Sequence, residues 1–316
     1  MAALSSPAAA AAVGADTVRA GLTGGRGDVR GRLFRVLLVS CLGLALLVLA
    51  VLLYDVLTTG WPVLSERLSD FLTGRLSSTA SRAGISQALA GSFWIAVFVV
   101  SLAFPVGIGA GIYLEEYAPR SRLTRVIDVN IRNLAGVPSI VYGLLGFAVF
   151  VKALGDVTGG RTLMAAGITL AVLVLPIVII TSAEAIRAVP DSIREAGFGV
   201  GATRWEVVRG HVLPYAAPGI LTGTVLALAR ALGEAAPLIL VGAVTGFLGS
   251  DFAVFDTSQV RERFTAMPMV IFNWAGQPRD EFRALTAAAI VVLLVVVLLA
   301  NTAAILLRNR YEKKRG

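Results

Sequence analysis

The chain has 316 residues, of which 56% are hydrophobic and only 15% are charged, whereas a soluble domain has roughly 25% charged residues. This composition excludes an ordinary water-soluble protein and predicts an all-α integral membrane protein, because a backbone in lipid must satisfy its own hydrogen bonds. The single cysteine and the single histidine, Cys41 and His211, exclude an internal disulfide and a multi-histidine metal site.

The N-terminal part of the chain has three predicted segments. Residues 1–30 are rich in Ala, Gly and Ser without a helical apolar period, and we interpret them as a disordered cytoplasmic tail. The apolar run at 33–57 is too long for a cleavable signal and predicts a membrane anchor. Large apolar residues then recur at helical spacing over 61–76, with charged residues between them, which predicts a short amphipathic helix at the membrane interface. The anchor and this helix together form a predicted region at 31–84.

Further apolar runs approach or exceed the roughly 20 residues that a bilayer requires. They lie at 87–114, 133–153, 162–186, 214–246 and 284–307. Together with the first run they predict six transmembrane helices, and residues 85–308 form the main predicted membrane domain. Between the last two spans, the piece from Pro268 to Ala275 is too short to cross. Residues 309–316 form a basic tail.

The arginines and lysines between the spans predict the orientation, because these residues accumulate on the cytoplasmic side. With the N-terminus inside, the inner segments carry twice as many arginines and lysines as the outer segments. Both termini are therefore predicted to be cytoplasmic. The net charge of +8 is then explained by topology and anionic headgroups, without a nucleic-acid partner.

Glycine pairs four residues apart predict close helix packing in three places. They are Gly107 with Gly111, Gly219 with Gly223, and Gly242 with Gly246. We expect them to serve packing within the chain, and a dimer interface is the alternative.

The loop between the fourth and fifth predicted spans, residues 188–214, has signals for two helices. Pro190 suits a first helical turn, and Gly201 can adopt the left-handed conformation that ends a helix. Thr203 and Glu206 have the spacing of a capping box, which predicts the start of a second short helix. A protruding helix–turn–helix with small residues at its tip would fit into a partner's cleft. On physical grounds alone, an ordinary solvated loop explains the same residues equally well.

The loop also resembles the EAA loop of bacterial ABC importer permeases, whose pattern is Glu-Ala-Ala, three residues, Gly, nine residues, Ile-x-Leu-Pro. The matching residues are Glu195, Ala196, Gly197, Gly201, Leu213 and Pro214. The resemblance implies a type I ABC importer permease fold, in which these residues dock on a separate ATPase. Gly197 replaces the second Ala, and His211 replaces the usual aliphatic residue. We expect Gly197 to weaken the first loop helix by about 1 kcal/mol relative to Ala.

Other stretches resemble the PstA family, the permease subunits of phosphate-specific ABC transporters. They are GIYLEEYAP at 111–119, RNLAGVPSIVYGLLG at 132–146, LALARALGEAAPLIL at 226–240 and MPMVIFNWAGQP at 267–278. The resemblance covers roughly residues 85–310 and implies import of inorganic phosphate across a bacterial cytoplasmic membrane. It implies a PstC-like permease as heterodimer partner, two PstB-like ATPase subunits and a PstS-like phosphate-binding protein. ATP and Mg²⁺ would be bound by the ATPase, because this sequence has no Gly-Lys-Ser/Thr phosphate-binding loop.

Arg230 and Glu234 are the candidate substrate-path residues. Arg230 lies roughly 24 Å into the fifth predicted span, where burial costs at least about 2.5 kcal/mol, so it should face a cavity or a partner. Glu234 follows one turn later on the same helix face, and Pro237 is expected to bend or open the helix beside them.

A guanidinium can bind phosphate oxygens with two hydrogen bonds. A carboxylate could accept the proton of protonated phosphate, which sulfate lacks. A structural ion pair between Arg230 and Glu234 is the alternative. The resemblance favours the path role for Arg230 and leaves the role of Glu234 open.

No catalytic residue and no metal ligand are predicted. A lipid-modifying enzyme would need a nucleophile with a base, or clustered metal ligands, and the sequence does not supply them. The remaining alternatives are a permease for another oxyanion, such as phosphonate or sulfate, and a membrane adaptor or sensor without transport. Among the other polar residues, Glu184 and Arg187 are expected to pair with each other, and Tyr142 to hydrogen-bond between helices.

Overall fold

The computed structural model describes residues 29–244 and 260–313, and all regular structure in these ranges is helical. The predicted tail at 1–30 therefore lies almost entirely outside the described residues. In chain order the helices are α1 (Val29–Glu66), α2 (Leu68–Thr73), α3 (Ser86–Tyr117), α4 (Arg122–Ala135), α5 (Ser139–Ala153), α6 (Gly155–Thr158), α7 (Leu163–Arg187), α8 (Asp191–Gly199), α9 (Arg204–Gly233), α10 (Ala236–Val241), α11 (Met267–Ala275) and α12 (Asp280–Lys313). The chain divides into two compact units after Asp55.

Five of these helices, α1, α3, α7, α9 and α12, are long and apolar enough to cross a membrane. The pair α4 and α5 is bent by 99° and supplies a sixth span if it is counted as one. The bend falls at Pro138, whose own backbone is extended with ψ at 136°. The ring of a proline also disfavours helix in the residue before it, here Val137. The third predicted span, 133–153, therefore begins later, at Ser139. The all-α membrane fold predicted from the sequence is confirmed.

The segment predicted as a separate amphipathic helix at 61–76 is divided differently. Helix α1 continues through Pro62 to Glu66, and α2 starts at Leu68 after a break at Arg67. At the break, the Arg67 guanidinium donates hydrogen bonds to carbonyl groups of the turn that follows α2, at 3.0 Å to Ala80 and 2.7 Å to Ser81. An interfacial position for this segment stays a prediction.

Helix α7 is the centre of the second unit, and most of its apolar stretch is buried. Helices α3 and α9 both approach it at glycines. A Cβ atom on Gly107 would lie 2.6 Å from Cγ1 of Val178, and one on Gly219 would lie 2.8 Å from Cβ of Ala185. Gly111 and Gly223 approach the same helix. Packing within the chain is therefore confirmed for the first two predicted glycine pairs, while Gly246 lies outside the described residues.

The short piece predicted not to span is α11, which packs inside the second unit. Its Trp274 lies between two aromatic rings, with centroids 6.4 Å from Phe71 and 6.0 Å from Phe282. This cluster joins α2, α11 and the start of α12. The cluster therefore connects the segment that follows α1 with the segment that precedes the last span and with the first turns of that span.

Candidate functional site

The first candidate site is the loop that follows α7. Its first helix, α8, comes directly after Pro190 and is followed by Gly201, which has a positive φ of 82°. Only glycine adopts this conformation without a steric cost. Thr203 and Glu206 form the predicted capping box: the Thr203 N–H donates to Glu206 Oε2 at 2.8 Å, and the Glu206 N–H donates to Thr203 Oγ1 at 3.4 Å. Both local predictions are confirmed.

The second loop helix, however, is not a separate element. It starts at Arg204 and continues through a π-helical turn at Val208–Val212 into the fifth span, so that α9 runs without interruption to Gly233. Leu213 and Pro214 therefore lie inside a helix. The wider π turn precedes Pro214, which has no N–H to donate back to the preceding turn. The second half of the loop and the segment that carries Arg230 are therefore one continuous helix.

Gly197 has a packing reason that helix propensity alone does not reveal. It is buried, and a Cβ atom there would lie 2.7 Å from Cγ2 of Val207. Because α8 crosses the start of α9 at this point, alanine at position 197 would force the branched valine to move. Gly197, which replaces the second alanine of the EAA pattern, therefore leaves the space that the Val207 side chain occupies.

The outer surface of the loop is exposed and partly apolar. Glu195 and Ala196 of the motif are exposed. Beside them, Phe198 is 47%, Trp205 is 55% and Val200 is 85% exposed. The turn therefore presents large apolar side chains as well as the small residues predicted from the sequence, and such side chains are typical of a surface that a partner covers.

The loop is attached to the rest of the chain by Arg194, for which no sequence pattern predicts such a role. Its Nη2 atom lies 2.8 Å from Oε1 of Glu116 at the end of α3, and this side chain pair is only 18% and 9% exposed. The same guanidinium donates to the carbonyl oxygens of Ile186 at 2.9 Å and Val189 at 2.7 Å. Arg194 therefore joins α8 to the ends of both α3 and α7. No sequence signal marks this pair, because its members are 78 residues apart.

The predicted pair of Glu184 with Arg187 is wrong. Arg187 pairs with Glu115 of α3, with Nε 3.2 Å from Oε2. Glu184 pairs with Arg132 of α4 at 3.4 Å. Each charge at the end of α7 thus binds a neighbouring helix, so the ends of α3, α4 and α7 form a single ion-paired layer next to the loop.

The second candidate site is the interruption of the fifth predicted span. Helix α9 ends at Gly233, Glu234 has an extended backbone with φ −81° and ψ 119°, and α10 starts at Ala236. The predicted opening of the helix is confirmed, and it lies three residues before Pro237. Helix α5 supports it: a Cβ atom on Gly143 would lie 2.8 Å from Cα of Pro237. The two segments therefore pack backbone against backbone.

Arg230 and Glu234 are brought together at this break. Arg230 Nε lies 3.5 Å from Glu234 Oε1, and the two side chains are 52% and 19% exposed. This contact is longer than the roughly 2.7–2.9 Å of a strong charge-assisted hydrogen bond. A guanidinium has five N–H donors, so one such contact leaves it able to bind a further anion. The geometry contains the ion pair of the structural alternative and is also compatible with the path role.

The Tyr142 hydroxyl donates to the carbonyl oxygen of Leu134 at 2.9 Å, across the bend between α4 and α5. This is the helix-to-helix hydrogen bond that was predicted for Tyr142. Within residues 29–244 and 260–313, no group of three or more His, Cys, Asp and Glu side chains could hold a metal ion.

Residues 103–313 match the family described as "Binding-protein-dependent transport system inner membrane component". The chain therefore belongs to this family of multi-pass ABC importer permease subunits. A bacterial alginate ABC transporter, crystallised with an alginate-bound periplasmic protein, has the same fold: the TM-score is 0.62 at 14% identity, over 87% of this chain and 93% of that one. The predicted type I importer permease fold is confirmed.

Within that class, the most similar sequences include phosphate permeases. The chain is 32% identical over 259 residues to the phosphate transport system permease protein PstA of Yersinia pestis, covering 82% of this chain and 83% of the relative. It is 35% identical over 181 residues to the probable ABC transporter permease protein YqgI of Bacillus subtilis, covering 57% and 60%. The resemblance to the PstA family is confirmed.

Proposed function

We propose that this chain is the PstA-like subunit of an ABC importer that moves inorganic phosphate across the cytoplasmic membrane, with ATP hydrolysed by a separate subunit. The similarity to PstA over most of both chains supports phosphate as the cargo. The companions would be a PstC-like permease, two PstB-like ATPase subunits and a PstS-like binding protein. The distribution of arginines and lysines supports an orientation with both termini in the cytoplasm.

The loop at 188–214 is the proposed docking surface for the ATPase. Glu195 and Ala196 are exposed on its outer side, and large apolar side chains surround its tip. The remaining motif residues, Gly197, Gly201, Leu213 and Pro214, shape the loop and its continuation into α9. Movement of the ATPase would therefore reach the membrane helix directly.

The observation that carries the transport role is the break in the membrane helix at an arginine and a glutamate. Arg230 is in the last turn of α9, next to the extended residue Glu234. An arginine within a membrane segment lowers the barrier for an anion that the low dielectric would otherwise exclude. Glu234 would weaken this attraction so that the anion can leave, and would favour phosphate that still carries a proton.

Paired substitutions separate the path role from a structural ion pair. Arg230→Gln and Glu234→Gln are each incorporated into the assembled complex in proteoliposomes, and radiolabelled phosphate uptake and ATP hydrolysis are measured. If Arg230 lines the path, Arg230→Gln abolishes uptake while assembly and most ATP hydrolysis remain. Glu234→Gln then retains uptake and is inhibited more by sulfate.

A purely structural pair gives a different result. Both substitutions would then change the complex to the same degree, and the double variant would be no worse than either single variant. The structural loss itself is small, because a pair with a half-exposed arginine contributes at most about 1 kcal/mol. Normal phosphate uptake by Arg230→Gln would contradict the path role.

A further inference from the structure

Helix α4 has an apolar side that its own chain leaves uncovered. Leu123 is 69%, Val126 is 55%, Ile127 is 42% and Leu134 is 47% exposed. The side that packs on the rest of the chain is a different one, made by the partly buried residues Thr124, Asp128, Ile131 and Ala135. The exposed apolar residues therefore do not belong to the side of α4 that packs on the rest of the chain.

The opposite side of the same helix is basic. At roughly 100° per residue, Leu123, Ile127 and Leu134 fall within about 40° of one another. Arg122, Arg125 and Arg132 centre on the far side of the helix, where Val129 is an additional exposed apolar residue. Arg132 is paired with Asp128 at 3.2 Å.

The remaining arginines of this segment carry uncompensated charge. Arg120, Arg122 and Arg125 are exposed and form no ion pair within residues 29–244 and 260–313. An apolar side opposite a basic side is typical of a helix at a membrane surface.

The position of α4 in the fold fits a membrane boundary. The helix is bent by 99° from the next segment, α5, so it lies nearly perpendicular to the direction in which the chain then crosses. Its Arg132 pairs at 3.4 Å with Glu184, in the last turns of the spanning helix α7. Its first turn is capped by Ser121, which accepts a hydrogen bond from the Thr124 N–H at 3.2 Å. It is therefore a capped helix that lies beside the end of the spanning helix α7.

We propose that α4 lies in the plane of the membrane surface, with its apolar side in the acyl region and its arginines against anionic lipid headgroups. The occupant of the apolar side is lipid. Charge complementarity supports this choice, because Arg120, Arg122 and Arg125 would face the phosphate groups of the same leaflet. The proposal depends on α5 and α7 crossing the membrane and does not depend on which solute is transported.

Site-directed spin labelling tests the orientation of α4. In a Cys41→Ser background, single variants Leu123→Cys, Ile127→Cys and Leu134→Cys sample the apolar side, and Arg122→Cys and Arg125→Cys sample the basic side. The labelled full-length chain is reconstituted with its partner permease in phosphatidylethanolamine–phosphatidylglycerol liposomes. Collision rates with oxygen, which concentrates in lipid, and with a water-soluble nickel chelate are then measured.

The proposal predicts alternating accessibility along the helix. The ratio of oxygen to nickel accessibility is expected to be about tenfold higher on the apolar side, because that side should lie about 5–10 Å into the headgroup and acyl boundary. Low accessibility of the apolar side to both reagents would mean that a protein covers it and would overturn the proposal. High nickel accessibility on both sides would also overturn it.

The headgroup part of the proposal has its own readout. The double variant Arg122→Gln/Arg125→Gln and the unchanged chain are compared in liposomes with phosphatidylglycerol and in liposomes of phosphatidylcholine alone. Both chains carry the label at Ile127→Cys. In the chain that keeps both arginines, accessibility of this label to nickel is expected to be low with phosphatidylglycerol and high without it. In the double variant, nickel accessibility is expected to be high in both mixtures. Labels that stay seated in both mixtures for both chains would refute the contribution of the arginines.

Discussion

Replacing Arg194 by Met tests whether the loop at 188–214 is held by one largely buried ion pair. The pair of Arg194 with Glu116 is 18% and 9% exposed, so solvent screens it weakly. The substitution leaves the Glu116 carboxylate without this cation and removes the hydrogen bonds to the carbonyl groups of Ile186, in α7, and of Val189, just after it. Removing one partner of a buried pair costs about 3–5 kcal/mol, and we take about 3 kcal/mol because both side chains retain some exposure. At about 1.4 kcal/mol per factor of ten, the attachment of α8 should weaken by about two orders of magnitude.

Amide hydrogen exchange of the loop measures this directly. The amides of Asp191–Gly199 should exchange about 100-fold faster in Arg194→Met, since local opening sets their protection. Asp191→Asn is the matched control: Asp191 also pairs with Arg194, at 3.2 Å, but is 89% exposed, so exchange should stay near that of the unchanged chain. The double variant Glu116→Gln/Arg194→Met should exchange more slowly than Arg194→Met, because it no longer holds an unpaired buried charge.

The functional consequence follows from the continuity of loop and span. A loosened α8 should retain less ATPase on purification and should support less phosphate uptake per ATP hydrolysed. Unchanged loop exchange in Arg194→Met, or equal effects of Arg194→Met and Asp191→Asn, would refute the view that the buried pair holds the loop.

Three further predictions concern local packing. Gly197→Ala should destabilise the loop by about 1 kcal/mol, since overpacking costs about 1–3 kcal/mol and the higher helix propensity of alanine offsets about 1 kcal/mol. Adding Val207→Ala to the same chain should reverse this effect. Amide exchange of the loop that is faster still in the double variant would contradict the overpacking. Gly201→Ala should cost about 1–2 kcal/mol by forcing a left-handed conformation, whereas Gly201→Asn should cost less; equal midpoints in thermal unfolding would show that the turn relaxes. Tyr142→Phe should lower stability by about 1 kcal/mol through loss of the bond to Leu134, and an unchanged unfolding midpoint would rule that out.

Local features of the loop at 188–214 were predictable from the sequence, because they depend on neighbouring residues. The helix start after Pro190, the turn at Gly201 and the capping box of Thr203 with Glu206 all involve backbone groups only a few residues apart. The break near Pro237 was predictable for the same reason. Its position at Glu234 was not, because packing of α10 against α5 decides where the chain opens.

Long-range partners were not predictable from one sequence. Glu116 is 78 residues from Arg194, and nothing in its local pattern distinguishes it from a headgroup-level glutamate. The fit of Gly197 to Val207 likewise appears only when two helices cross. Arg187 and Glu184 lie near the same end of the fourth predicted span, which suggested a pair, but the structure places Glu115 and Arg132 on neighbouring helices within reach. Tertiary proximity overrides sequence spacing in each case.

The role of this chain is tested most directly by reconstitution. Proteoliposomes containing it together with a PstC-like permease, a PstB-like ATPase and a PstS-like binding protein are supplied with radiolabelled phosphate, ATP and excess sulfate. If this chain is a phosphate permease subunit, ATP-dependent phosphate accumulation requires it and is not reduced by sulfate. Equal accumulation without this chain, or accumulation that sulfate abolishes, would contradict it.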